Sequence, residues 1–287
     1  PEDDLSDFIV EKDEKERLII AGLKNENLKH IIVPKSIKGI KEEAFVADIL
    51  VENGKIKEIG ENLSVDGDTE IVDATGKEIY PGFVEAHGHI GLDGYGIGYE
   101  GMDYNEMNDI ACPQMRGLDG IKAMDPAFRQ AVEGGVTTVC TGPGSANVIG
   151  GTGVTFKLRG NSPEEMEIPG HRHMKFALGE NPKRFYGSKG KAPWTRMASG
   201  AMIRKMLIMA QQYSDQLIAY EKGEGDKPKW DMQLEALVPV VRGEMKARIH
   251  AHRADDILTA IRIGEEFKLD YSIEHCTEGY KIIKELQ

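Results

Sequence analysis

Residues 79–89 of this chain read IYPGFVEAHGH, and this stretch decides how the rest of the sequence is interpreted. An apolar run after Pro-Gly predicts a short β-strand, and the run ends on two histidines, His87 and His89. Alternate residues of a strand point to the same side of a sheet, so both imidazoles face one point. Neutral imidazole is a good ligand for zinc and its first-row neighbours. The stretch therefore predicts a strand that ends in a pair of metal ligands.

The sequence before this strand predicts a small β-module. Residues 47–51 and 55–60 alternate as two strands, and the Asn-Gly pair between them is a strong hairpin signal. Residues 71–77 add a further strand and turn. We place an N-terminal β-module at residues 1–78, in which residues 1–45 show little pattern beyond a charged start.

The sequence after residue 79 alternates between strands and helices, which predicts a parallel sheet in an α/β domain over residues 79–287. A helix over residues 193–222 is the longest, and others are predicted at 125–133, 232–241 and 254–266. The predicted strands of this domain are residues 83–87, 136–140, 154–158, 174–178, 246–250 and 269–275.

The composition limits the classes of function. The chain has 287 residues, of which 40% are apolar, and this is enough to fill a large core. Its net charge of −12 argues against a general nucleic-acid binder, and it has no apolar run long enough for a membrane span. Three cysteines without close spacing do not form a disulfide framework. We expect a cytoplasmic protein that binds a small-molecule substrate and neither nucleic acid nor membrane; homo-oligomer formation is left open.

The stretch at 79–89, with a β-module before it that ends in Asp-Ala-Thr-Gly-Lys at 73–77, resembles the amidohydrolase superfamily. The similarity is to its imidazolonepropionase-like and prolidase-like branch and runs from about Ala47 onward. It implies a TIM-like (β/α)8 barrel with a metal site at the carboxyl ends of its strands, beside a small β-sandwich. Only about six of eight strands can be placed before Gln287. The resemblance thus implies that this chain lacks the C-terminal part of the barrel and its eighth-strand aspartate base, and we expect it to be poorly active or inactive alone.

The resemblance also implies which residues bind metal. They are histidines at three strand ends and a lysine, carbamylated and bridging two cations, within a fourth strand: His87, His89, Lys175, His250 and His275. Two alternatives stay open. Glu180 can take the place of Lys175 as the bridging ligand. His252 can take the place of His250, and of these two histidines we rank His250 ahead.

The implied activity is hydrolysis of C–N bonds in a cyclic amide, imidazolone or dipeptide-like substrate. One or two divalent ions, Zn²⁺ first and Mn²⁺ or Fe²⁺ as alternatives, would activate a hydroxide. Two alternatives are a catalytically inactive metal-binding relative and a deaminase with a single metal ion that uses His252. If the base lies within this chain, Asp255, Asp256 and Glu274 are the first candidates.

Other charged and loop residues are interpreted more simply. We expect the loops 91–120 and 142–153 to line the substrate pocket, without naming substrate-binding residues. The side chains of Arg159, Lys183 and Arg184 are able to bind a substrate carboxylate, but we favour solvated surface charges for each of them. His171 and His173 are interpreted as surface histidines of a polar loop.

Overall fold

The computed structural model describes residues 47–65, 67, 69–75 and 79–287, and the backbone alone for residues 8–12, 18–23 and 30–33. The predictions for the rest of residues 1–45 and for Gly76 and Lys77 lie outside the described residues. The strands are β1 (Phe8–Lys12), β2 (Leu18–Leu23), β3 (His30–Val33), β4 (Asp48–Glu52), β5 (Lys55–Gly60), β6 (Glu70–Ile71), β7 (Phe83–Gly88), β8 (Val136–Thr141), β9 (Ile149–Lys157), β10 (His173–Ala177), β11 (Lys246–Ala251) and β12 (Tyr271–His275).

The helices lie between the later strands, except for the last one, which follows β12. They are α1 (Pro126–Glu133), α2 (Pro163–Met166), α3 (Glu180–Gly187), α4 (Arg196–Glu221), α5 (Met232–Val241), α6 (Ala254–Phe267) and α7 (Ile283–Leu286), with 3-10 turns at Gly98–Gly101, Gly117–Gly120 and Gly279–Lys281. Each helix in the described part of the chain is too short or too polar to span a membrane.

Two compact units make up the chain. The first comprises Pro1–Glu85, Pro126–Thr138 and Lys157–Arg159, and the second comprises Ala86–Asp125, Val139–Phe156 and Gly160–Gln287. The division into domains at residues 78 and 79 stays a prediction.

The β-module contains the predicted hairpin. Strands β4 and β5 pair antiparallel around Asn53 and Gly54, whose φ angles are 51° and 72°. A two-residue turn of this type requires positive φ at both positions, which Asn-Gly supplies at low steric cost. Strand β3 pairs antiparallel with β4 and parallel with β6, giving the order β5-β4-β3-β6.

The second sheet has the order β12-β11-β10-β9-β8-β7, and its six strands are those that the sequence predicts. Strands β10, β11 and β12 are parallel, but β9 pairs antiparallel with β10. The prediction of a wholly parallel sheet is therefore wrong at β9. A parallel neighbour needs a crossover of a dozen or more residues, and residues 142–148 between β8 and β9 form a direct connection without a helix.

Alternation along β10 separates the core from the interior of this sheet. Met174 and Phe176 belong to the large apolar cluster that includes residues of α4, α5 and α6. Lys175 lies between them and points to the opposite side of the sheet. Strand β10 is buried throughout, so both of its faces are covered. The α/β fold class is confirmed, and it places a lysine on the inner side of the sheet.

Candidate metal centre

Three histidines meet at the carboxyl ends of the parallel strands β11 and β12. His250 is the penultimate residue of β11, His252 follows that strand directly, and His275 ends β12. Each offers one ring nitrogen, and these three nitrogens lie within 4.8 Å of one another. Each pair of rings has its centroids 4.6 Å apart. The arrangement brings enough imidazole ligands together to hold one metal ion.

The histidine pair of β7 lies against this cluster. The His87 ring is 4.8 Å from the His275 ring and 5.7 Å from the His89 ring, between centroids. Strands β7 and β12 are the two outermost strands of the sheet, yet Arg248 of β11 also donates a 2.6 Å hydrogen bond to the Ala86 carbonyl oxygen. The sheet is therefore curved so strongly that its opposite edges meet through side chains at this end.

Hydrogen bonds fix the orientation of these two imidazoles. His89 donates from Nδ1 to the Gly142 carbonyl oxygen at 2.7 Å, and His87 donates from Nδ1 to Glu274 Oε2 at 2.5 Å. A proton on Nδ1 leaves the Nε2 lone pair for a metal ion, as in most metal-binding histidines. Burial lowers the pKa of His89, which keeps its ring neutral.

The surroundings of His250 indicate whether these residues fit a metal ion. Its side chain is 4% exposed, and its Nε2 contacts Asn181 Nδ2 at 3.1 Å. Its Nδ1 is buried and has no hydrogen-bond partner among the described residues. A buried polar atom without a partner costs ~1–3 kcal/mol, and in the tautomer that carries its proton on Nε2 an ion bound at Nδ1 would remove that cost. Burial, with the charge of Lys175, lowers the pKa of His250 to about 3. The centre is a set of imidazoles, which are ligands that suit a divalent ion such as zinc.

Lys175 and Glu180, the two alternatives for one ligand, lie in different surroundings. Lys175 is 2% exposed in the middle of β10, and burial lowers the pKa of its amine to about 8. The Glu180 side chain is 58% exposed at the start of α3, and its carboxylate accepts a 3.0 Å hydrogen bond from Arg196. The structure therefore directs Lys175 to the interior that holds the histidines and Glu180 to a surface ion pair.

A buried ion pair lies next to the centre and orients one of its histidines. Arg248 donates to both oxygens of Glu274, at 2.8 and 2.6 Å, and Ser272 donates to the same carboxylate at 2.8 Å. Burial alone would raise the pKa of Glu274, but the hydrogen bonds from His87, Arg248 and Ser272 outweigh it and hold that pKa well below its usual range. Glu274 is therefore an ionised carboxylate that orients His87.

No family model matches the chain. A crystal structure of an amidohydrolase from Thermotoga maritima MSB8 aligns with a TM-score of 0.83 at 44% sequence identity, over 89% of this chain and 67% of that one. The chain belongs to the amidohydrolase superfamily. The family resemblance read from residues 79–89 is thus confirmed.

Curated relatives agree with this amidohydrolase assignment. Amidohydrolase tasK of Hapsidospora irregularis is 30% identical over 267 residues, which are 84% of this chain and 27% of the relative. A dihydroorotase of Trichlorobacter lovleyi is 34% identical over 102 residues, which are 36% of this chain and 19% of the relative. The chain spans about a quarter or less of the length of these two relatives.

The end of β12 carries backbone strain. His275 and Cys276 have φ angles of 69° and 47°, in the left-handed region that non-glycine residues rarely adopt. Such residues cost ~1–3 kcal/mol each and cluster at functional sites. The Cys276 amide donates to the Ala251 carbonyl oxygen at 3.1 Å, which ties the strained turn to β11. The strain is located where His275 meets the other histidines.

His173 corrects a prediction. The sequence predicts that His171 and His173 are surface histidines of a polar loop. His171 is exposed. His173, in contrast, is 6% exposed and is the first residue of β10. Its ring fits only because Gly153 has no side chain, since a Cβ there would lie 2.2 Å from it. Burial lowers the pKa of His173 to about 3. The prediction is wrong because the strand starts earlier than residue 174.

Two residues of the centre are missing from the sequence prediction. Arg248 lies two residues before His250 on the same strand, so strand alternation places both on the inner side. That periodicity is the signal that would have found Arg248. Asn181 belongs to α3, which the sequence does not predict because the helix is short; Pro182 in its first turn is the available signal.

Proposed function

We propose that this amidohydrolase superfamily member is a metal-dependent hydrolase of C–N bonds in a cyclic amide, imidazolone or dipeptide-like small molecule. The observation that carries the proposal is the meeting of His250, His252 and His275 at the strand ends. A divalent ion, when bound, activates water as a nucleophile and polarises the substrate carbonyl. The relatives named dihydroorotase support a cyclic substrate. Zinc is the proposed metal, with Mn²⁺ or Fe²⁺ as alternatives, and a cytoplasmic location stays a prediction.

Five residues form the proposed ligand set: His87, His89, Lys175, His250 and His275. The hydrogen bonds to Glu274 and Gly142 orient the first two rings before an ion arrives. Preorganised ligands of this kind lower the entropic cost of binding. His252 is the alternative ligand; its Nδ1 lies 2.7 Å from the Thr277 hydroxyl.

Lys175 is proposed to carry a carbamate. Its amine nitrogen would form a bond to the carbon of CO2 and release one proton to solvent, giving an anionic carboxylate. A buried ammonium costs desolvation energy, whereas a carbamate would be neutralised by bound cations. The supporting observations are the burial of this lysine inside β10 and its charge, which contributes to the lowered pKa of His250.

The carbamate can be detected by NMR. With ¹³C-labelled bicarbonate and Zn²⁺, we expect a carbamate carbon resonance in the wild-type protein that is absent from Lys175→Met. Lys246→Met is the matched control, because Lys246 also lies in a parallel strand but is exposed and paired with Asp270. A resonance that persists in Lys175→Met, or none in the wild type, contradicts the proposal.

Turnover tests the proposed activity itself. We expect the full-length protein, loaded with Zn²⁺, to hydrolyse members of a panel of cyclic ureides, N-acyl amino acids and dipeptides, and to stop when a chelator removes the metal. Restoring Zn²⁺ should restore turnover, because the imidazoles are held in place without it. Product formation is followed by chromatography. A rate of hydrolysis that does not change when the chelator is added would refute metal dependence.

A deaminase with a single metal ion is a second candidate. The observation in its favour is that His252 joins His250 and His275, so three imidazoles suffice for one ion without Lys175. Such an enzyme would release ammonia and bind one metal per chain. Metal analysis together with ammonia detection in the same panel separates it from the hydrolase.

A further inference from the structure

A cavity of about 340 Å³ lies beside the candidate metal centre. His89 lines it directly, and Asn181 lines it while contacting His250 at 3.1 Å. The cavity therefore adjoins the centre through His89, a proposed ligand, and through Asn181, which contacts a second proposed ligand. Its volume is at the lower end of the ~300–1,000 Å³ typical of ligand pockets, which suits a small metabolite.

The charge of this cavity comes from one residue. Among the described residues that line it, Arg184 alone carries a formal charge, and this solvent-exposed side chain has no hydrogen bond or ion pair with any described residue. The neighbouring Lys189 and Lys191 are different, because each donates to a backbone carbonyl oxygen. Most other described arginines pair with a carboxylate: Arg116, Arg129, Arg172, Arg196, Arg204, Arg248 and Arg253.

The remaining walls suit a flat polar group. Tyr104 stacks on His89 with ring centroids 5.4 Å apart and an interplanar angle of 18°, and Phe185 also lines the cavity. Ser145 accepts a 2.7 Å hydrogen bond from Asn181, so its own hydroxyl hydrogen is available to a ligand. Aromatic faces and neutral donors of this kind match an amide plane, while a guanidinium matches a carboxylate through two parallel hydrogen bonds.

We propose that this cavity is the substrate subsite of the hydrolase and that Arg184 selects substrates bearing a carboxylate. The carboxylate binds Arg184, and the amide lies towards His89 and Asn181, next to the metal centre. This inference rests on the proposed function, since it assigns a substrate class to the same site. It makes Arg184 a specificity-determining residue instead of a solvated surface charge.

A matched pair of probes tests the selection. N-acetylglycine and N-acetylglycinamide have the same shape, and only the first carries a carboxylate. By calorimetric titration, we expect the protein with its metal to prefer N-acetylglycine by at least ~10-fold, the scale of one hydrogen bond between charged groups. Arg184→Met should bring the two affinities close together, and Arg184→Lys should keep part of the preference. Lys183→Met, the adjacent cation on α3, should leave it unchanged.

The outcomes separate the subsite from the hydrolase. If the protein shows no metal-dependent turnover but retains the Arg184-dependent preference after chelation, the proposed function fails and the subsite stands. If turnover occurs but carboxylate and amide bind alike, or the preference survives in Arg184→Met, the subsite is overturned while the hydrolase stands. Circular dichroism of each variant confirms that the fold is retained.

Discussion

Replacing His250 with alanine is expected to weaken Zn²⁺ binding by at least ~10- to 100-fold, a loss that is typical even of residues that only orient a ligand. His250 stands between its two histidine neighbours, with ring centroids 4.6 Å from each, and has a buried nitrogen without a described partner. The affinity can be measured by competition with a chromophoric chelator. Substituting Co²⁺ for Zn²⁺ would also show the change in ligand number in its visible spectrum.

Two further variants make this result decisive. His171→Ala removes an exposed histidine of the same unit and should leave the affinity unchanged. His275→Ala removes an exposed member of the cluster, so its loss of affinity cannot be attributed to a collapsed core. Equal Zn²⁺ affinity in His250→Ala and His171→Ala would remove His250 from the ligand set.

Replacing Arg248 with methionine is expected to lower the free energy of unfolding by ~3–5 kcal/mol. The side chains of Arg248 and Glu274 are 13% and 8% exposed, and the loss of the guanidinium leaves a buried carboxylate with fewer donors. The guanidinium also donates to Cys140 Sγ at 2.7 Å and to the Ala86 carbonyl oxygen, so it links strands at both edges of the sheet. Urea denaturation followed by circular dichroism measures the effect.

The control is an exposed pair of the same type. Arg116 and Asp119 are 61% and 58% exposed, so Arg116→Met should cost no more than ~1 kcal/mol. The double variant Arg248→Met with Glu274→Gln should recover part of the loss, because it leaves no uncompensated charge. If Arg248→Met and Arg116→Met were equally stable, the buried pair would not support the centre.

The strand pattern was predictable because each signal is local. Apolar runs, Asn-Gly at 53–54 and alternation place the hairpin and the six strands of the large sheet. The family resemblance at residues 79–89 supplied the fold class, and the structure and the Thermotoga relative confirm it. The antiparallel course of β9 was missed, because it depends on how residues 142–148 connect two strands in space and not on the composition of β9.

The candidate metal-binding side chains were predictable from the sequence, but the residues that form hydrogen bonds with them were not. His-X-His pairs at strand ends identify imidazoles that share a face, and alternation turns Lys175 away from Met174 and Phe176. The pairing of His87 with Glu274 joins residues 187 positions apart along the chain. No local pattern encodes such a contact, since it requires the two outermost strands of the sheet to approach each other.

The sequence by itself determined the strands, the superfamily and a set of candidate metal ligands, because periodicity and side-chain chemistry are properties of short segments. Only the tertiary structure decided that Glu180 pairs with Arg196 while Lys175 is buried, that His173 is internal, and that Arg184 lines a cavity. These outcomes depend on which distant groups desolvate or neutralise each side chain. Burial and charge pairing arise from the packing of the whole sheet and its helices, and a residue's neighbours in sequence do not specify them.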